Sequence, residues 1–174
     1  MLVAQTKRLT ISKFTIDDAP FFFELVNTPH WIKYIGDRNI KTITEAEQHL
    51  INGQIKSYDT HGFGFYKLNL KENNNPIGTC GLIKRETLEH VDIGFAFLPE
   101  YEGKGYGFES SKAILKVAKN IFKLETILAI TLQVNKPSIN LLEKLGLSFQ
   151  KMIKPFEDDQ ELMLFAKNLS DDNI

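Results

Sequence analysis

Residues 90–134 constrain the fold more than any other part of the chain. "HVDIGFAFL" alternates Val91, Ile93, Phe95 and Phe97 on one face with Asp92, Gly94, Ala96 and Leu98 on the other, as a strand does, and Pro99 ends it. "PEYEGKGYGFESS" then places Gly103, Gly105 and Gly107 at alternate positions. "FESSKAILKVAKNIF" sets Phe108, Ile114, Leu115, Ala118, Ile121 and Phe122 at helical spacing. "TILAITLQV" follows, a nearly continuous apolar run of the kind that forms a strand buried on both faces. Strand, helix and strand in this order call for a parallel pair joined by a right-handed crossover.

The remaining elements read differently. "RLTISKF" alternates as a strand. "DDAPFFFELVN" predicts a helix over about 18–27, with Asp17 as cap and Pro20 in the first turn. "NTPHWIKYIGDRNI" reads as a loop opened by Thr-Pro. "TEAEQHLINGQIKSY" puts Thr44 and Glu47 at capping-box spacing and predicts a helix over about 45–58. "GFGFYKLNL" and "PIGTCGLIK" flank the turn "KENNN" as a hairpin. "NKPSINLLEKLG" is a short helix between Pro137 and Gly146, and "LSFQKMIKPF" and "QELMLFAKNL" are closing strands. The expected order β-α-α-β-β-β-α-β-α-β-β is a mixed, mostly antiparallel α/β sandwich, in which residues 1–168 form one domain and 169–174 a polar tail.

Composition narrows the function. With 21 basic and 22 acidic residues and no basic run, the chain has no electrostatic footprint for nucleic acid or a membrane surface. The start carries no apolar core of signal-peptide length, and Cys80 is the single cysteine, so a cytoplasmic protein is expected. His30, His49, His61 and His90 are scattered, and no metal site is expected. Cys80 reads as a small buried hydrophobe.

The glycine stretch is where chemistry concentrates. Its backbone can approach a ligand closely, and the helix beginning near Gly105 aims unpaired N–H groups and the positive dipole end at the same place. That combination binds anions, phosphate above all. Two common phosphate loops fail on spacing. A mononucleotide loop ending at Gly103-Lys104 would need glycine at Leu98 and a hydroxyl residue at Gly105. A dinucleotide loop would need glycine at Phe108 or Ser110.

Residues Glu102, Gly103, Lys104, Gly105, Tyr106 and Gly107 resemble the pyrophosphate loop of the GNAT superfamily of N-acetyltransferases, Gln/Arg-x-x-Gly-x-Gly/Ala. "TKRLTISKFTIDDAPFFFEL" and "NKPSINLLEKLGLSF" look like the opening and the Asn-x-x-Ser segment of its branch of ribosomal-protein N-terminal acetyltransferases. The resemblance implies a GNAT-like sheet of about six to seven strands with about four helices, splayed between its fourth and fifth strands, here 90–98 and 126–134. It implies acetyl-CoA as cosubstrate, held by Gly103, Lys104, Gly105, Tyr106, Gly107 and Phe108, by main-chain groups of Phe97 and Leu98, and by Asn135 and Ser138. Two departures stand out. Glu102 replaces the Gln or Arg of the pattern and is expected to point outward, with Lys104 compensating. Leu142 stands where many members carry a tyrosine acid, which leaves Ser138 or solvent to protonate the departing thiolate.

Acetyl transfer to nitrogen needs a neutral amine and a route for its proton. Asp92 is the candidate base, on the strand face that is small in its middle; a structural ion pair is the alternative role. Glu109, in the first turn of the loop helix, is a second carboxylate suited to that helix end. His30, Trp31, Tyr34, Asp37 and Arg38 are candidates for the acceptor pocket, Asp37 for an amine and Arg38 for a carboxylate or phosphate. The acceptor is expected to be a protein N-terminal α-amine, a small amine or a polyamine. A catalytically weak acyl-CoA sensor or partner-binding module is the alternative. A monomer, or a homodimer through the last strands, is expected.

Overall fold

The computed structural model describes residues 1–158 and 160–170. One sheet runs β1-β2-β3-β4-β5-β6-β8-β7, with β1 Leu2–Gln5, β2 Leu9–Lys13, β3 Phe65–Leu70, β4 Pro76–Ile83, β5 Asp92–Phe97, β6 Thr126–Thr131, β7 Ser148–Ile153 and β8 Leu162–Asn168. Every neighbouring pair is antiparallel except β5 and β6. That parallel pair meets only at Asp92 and Leu128, beside the bond from Leu128 N–H to Val91 C=O. Beyond this point the strands diverge, so the expected splay lies between β5 and β6. The added strand is β1, a four-residue edge element too short to show alternation.

Helices α1 (Ala19–Val26), α2 (Pro29–Tyr34), α3 (Ile43–Leu50) and α4 (Lys56–His61) lie between β2 and β3; α5 (Tyr106–Asn120) connects β5 to β6, and α6 (Lys136–Lys144) connects β6 to β7. The segment read as a loop contains α2, because Thr28 accepts a bond from Trp31 N–H and Pro29 fills the first helical position. The capping box is Thr42 with Glu45, two residues earlier than read: Glu45 N–H donates to Thr42 Oγ1 at 3.2 Å and Thr42 N–H to Glu45 Oε2 at 3.0 Å. One helical rod then runs from Ile43 to His61, interrupted by a π turn at Ile51–Ile55 and ended by Gly62 at φ +80°.

The alternation of β5 sorts the core. Ile93, Phe95 and Phe97 join the larger cluster under α5 and α6, with Ile114, Leu115, Phe165 and Leu142. Ala96 and Leu98 join the second, built on α1–α3 around Phe22, Trp31 and Leu50. Leu169 is fully buried and its N–H donates to Glu125 C=O at 2.7 Å, so the fold extends past residue 168. Residues 171–174 of the expected tail lie outside the described residues. Among the described residues no helix is long and apolar enough to cross a membrane.

Candidate active site

The glycine stretch joins β5 to α5, and its three glycines have two distinct causes. Gly103 (φ +69°) and Gly105 (φ +83°) occupy the left-handed region. A Cβ on Gly103 would meet nothing within 4 Å, so this turn stands open. Gly107 is inside the helix, where a Cβ would lie 2.8 Å from Leu141 Cδ2 and 3.5 Å from the Phe97 ring; it is small because α5, α6 and β5 converge there. The main-chain bond from Glu109 N–H to Gly105 C=O, 3.1 Å, opens the helix. The N–H groups of Tyr106, Gly107 and Phe108 therefore have no partner four residues back and face out of the helix end.

Arg8, at the entry to β2, holds this loop. Its Nε donates to Glu109 Oε2 at 2.6 Å, one Nη to Lys104 C=O at 3.0 Å, and its guanidinium lies 4.2 Å from the centre of the Tyr106 ring. Glu109 also accepts from Thr6 Oγ1 at 2.6 Å and Arg8 N–H at 2.8 Å. Burial raises the Glu109 pKa, but these hydrogen bonds and the Arg8 charge lower it further, leaving it below its usual value. Glu109 is thus the clamp between the first hairpin and the loop helix. The Lys104 ammonium sits 5.7 Å over the Tyr101 ring, and Phe108 carries the Lys144 ammonium at 4.8 Å.

Glu102 does not point outward. Its carboxylate contacts His30 Nδ1 at 2.7 Å, joining the loop to α2. His30 in turn packs edge-on against Tyr34, 5.7 Å between centroids.

The register of β4 and β5 decides which main-chain groups face the splay. Leu98 N–H donates to Ile77 C=O at 3.0 Å, and Leu98 C=O accepts from Tyr101 N–H at 2.9 Å. Leu98 is therefore turned to β4 and cannot serve a ligand in the opening. By the two-residue period of the ladder, Asp92, Gly94 and Ala96 face β4 as well, and Ile93, Phe95 and Phe97 present their N–H and C=O groups to the splay. Phe95 joins Phe97 there in place of Leu98.

At the closed end of the splay stands Asp92, 1 % exposed. Its Oδ1 accepts from Arg85 Nε at 3.0 Å, and no other side chain among the described residues bonds to it. Removal from water raises its pKa more than Arg85 lowers it, pushing it up to about 6. Arg85 stands over the Phe156 ring, 5.5 Å from its centre. Arg38 remains exposed yet reaches the same region: its pKa is lowered by the surrounding protein and by the Arg85 charge. His49 lies within reach of Arg38: burial and then the Arg38 charge lower its pKa, and its ring stacks on Phe22 at 5.4 Å.

Asn135 is not at the end of a strand, since β6 stops at Thr131; it caps α6, its Oδ1 accepting from Ser138 N–H at 3.3 Å. The Ser138 hydroxyl bonds to no described residue. Leu142 is buried in the core, and the α6 side chain beside Gly107 is Leu141. Two acceptor candidates have other work. Trp31 is 6 % exposed and packs edge-on to Phe22 at 6.4 Å, which makes it core. Asp37 faces Lys41 at 3.8 Å and accepts from Asn39 N–H at 2.7 Å. Cys80 is buried, its thiol pushed up to about 11 by loss of water.

The splayed parallel pair, the glycine loop at a helix start between the two strands, and the unpaired edge of β5 are one constellation. Residues 8–148 match the model of the acetyltransferase (GNAT) domain. The chain belongs to the GNAT acetyltransferase family. It is 27% identical over 149 residues to the uncharacterized N-acetyltransferase YnaD of Bacillus subtilis, covering 86% of this chain and 84% of the relative. The crystal structure of a GNAT-family acetyltransferase from Bacillus anthracis superposes with a TM-score of 0.81 at 23% identity, covering 98% of this chain and 100% of that one. RimL, a ribosomal L7/L12 α-N-protein acetyltransferase solved in complex with coenzyme A, superposes at 0.84 and 14% identity over 99% and 100% of the two chains.

Sequence reasoning missed Arg8, Arg85, Phe95 and Phe156. One signal was available. The chain has only three arginines among its 21 basic residues, Arg8, Arg38 and Arg85, and all three stand around this site. Arginine offers a planar, multi-donor cation that lysine cannot replace.

Proposed function

We propose that this GNAT acetyltransferase moves the acetyl group of acetyl-CoA to a primary amine by direct attack within a ternary complex. The observation that carries this reading is Asp92, a carboxylate at the closed end of the splay whose pKa burial pushes up to about 6.

The residues suit the cosubstrate. The open turn at Gly103 and the outward N–H groups of Tyr106, Gly107 and Phe108 would hold the pyrophosphate, with Arg8 fixing the loop from behind. Phe95 and Phe97 would pair along the pantetheine arm through their main chain. Acetyl-CoA supplies the activated thioester carbonyl.

Asp92 takes the amine proton. A carboxylate near 6 remains ionised at neutral pH but is a stronger base than an ordinary one, so the transfer is less uphill. An α-amine, with a reference pKa of about 7.7–8.0, needs little help; a lysine side chain near 10.4 needs about 3 kcal/mol more. As the C–N bond forms and the C–S bond breaks, the thiolate takes a proton from water, directly or relayed through the Ser138 hydroxyl, and Asp92 afterwards releases the amine proton to solvent.

The test is thiol release from acetyl-CoA with a panel of primary amines, read alongside direct binding of acetyl-CoA. Amine-dependent release that falls sharply in Asp92→Asn is expected. Tight acetyl-CoA binding with no release on any amine would overturn the enzymatic reading in favour of a sensor.

A further inference from the structure

Among the described residues the charges around Asp92 do not balance. Among the described residues Asp92 is the only carboxylate in contact with Arg85, and it engages Nε alone. The two outer nitrogens of Arg85 bond to no described residue, and its guanidinium lies 5.5 Å from the centre of the Phe156 ring. Arg38 stands within electrostatic reach of Arg85 and has no acidic partner among the described residues. The obvious neutralising neighbour, Asp37, is turned to Lys41 and the Asn39 N–H instead. Arg85 therefore pairs with the one buried carboxylate, while Arg38, within reach of the Arg85 charge, pairs with no carboxylate among the described residues.

Like charges held close together store repulsion that an anion relieves. Planar guanidiniums recognise carboxylates by paired hydrogen bonds, and free Nη groups supply them. A polyamine entering here would place its extra ammonium groups against two fixed positive charges, a mismatch that discriminates against it. A neutral amine would leave the pair unrelieved.

We infer that the acceptor is a small amine carrying a carboxylate, with its amine at Asp92 and its carboxylate on Arg38 and the outer nitrogens of Arg85. Arg85 Nε lies 3.0 Å from Asp92, so the two recognition points are adjacent and the two groups of the acceptor are separated by only a few bonds. This rests on the reading of Asp92 as the site of the amine.

The test is calorimetric binding to the full chain saturated with CoA. The ligands are α-, β- and γ-aminocarboxylates, the same compounds with the carboxylate amidated, and spermidine. At least one aminocarboxylate should bind tenfold or more tightly than its amide and than spermidine. Arg38→Gln should reduce that preference to near unity, and Arg38→Lys should retain part of it. Equal or tighter binding of the amides or spermidine, no measurable binding of any aminocarboxylate, or an undiminished preference in Arg38→Gln would overturn the inference. Failure of the protein to bind CoA at all would instead count against the acetyltransferase reading itself.

Discussion

Replacing Asp92 by Asn should make the protein less active and more stable at neutral pH. The carboxyl is buried, and its pKa is raised from 3.8 to about 6. At about 1.36 kcal/mol per pKa unit, ionising it in the folded chain costs roughly 3 kcal/mol more than in the unfolded chain. The sign follows from the direction of the shift. Below the unfolded value both states are protonated and nothing is lost. Between about 4 and 6 the folded chain holds the proton more strongly, so stability declines as pH rises, and the full penalty stands above 6. Asn carries no charge at any pH and escapes this penalty, while losing the bond to Arg85, whose side chain is 27% exposed and can turn to water. A net gain of about 1–2 kcal/mol is expected at pH 7.5, or a few degrees in melting temperature for a chain of this size. The gain should vanish near pH 4. Turnover should fall by about 10²–10⁴, and the limb of the kcat/KM profile near pH 6 should disappear. Thermal melts at pH 4 and 7.5, with pH–rate profiles of both proteins, decide it. An Asn variant that is less stable at pH 7.5 and keeps its activity and acidic limb would refute the reasoning and make Asp92 a structural ion pair.

Other perturbations separate the parts of the site. Gly107→Leu should raise the acetyl-CoA dissociation constant by at least tenfold by calorimetry, because its side chain would drive into Leu141 and shift the helix start. Arg8→Ala should raise the KM for acetyl-CoA several-fold by freeing the Lys104 carbonyl and Tyr106, with a stability loss of only about 1 kcal/mol because Arg8 is partly exposed. Thr42→Ala should cost about 1 kcal/mol in chemical denaturation, with no change in acetyl-CoA affinity, since it removes the cap of α3 and touches nothing at the loop.

The sequence made some features legible and hid others for physical reasons. The β5–α5–β6 crossover was readable because two periodicities and a glycine joint sit side by side. Helix α2 was missed because Thr28-Pro29 signals a turn and a helix start equally well. The capping box was displaced because "TITEAE" contains two overlapping boxes, and only packing chooses between them. At the site, single-residue identity was informative where backbone conformation dictates it, as at Gly103 and Gly105. Partnerships across the fold were not. His30 and Glu102 are 72 residues apart, and Thr6 and Glu109 are 103 apart; no local pattern encodes such pairs. Leu98 and Phe97 look alike in a strand, and only the register with Ile77 shows which one faces β4.

The most direct test is a crystal structure of the full chain with CoA. Pyrophosphate oxygens are expected within hydrogen-bonding distance of N–H groups between Gly103 and Phe108. The pantetheine arm is expected to pair with Phe95 and Phe97, with the thiol directed toward Asp92 and Ser138. A pyrophosphate bound elsewhere, or an arm lying outside the β5–β6 splay, would contradict this binding mode.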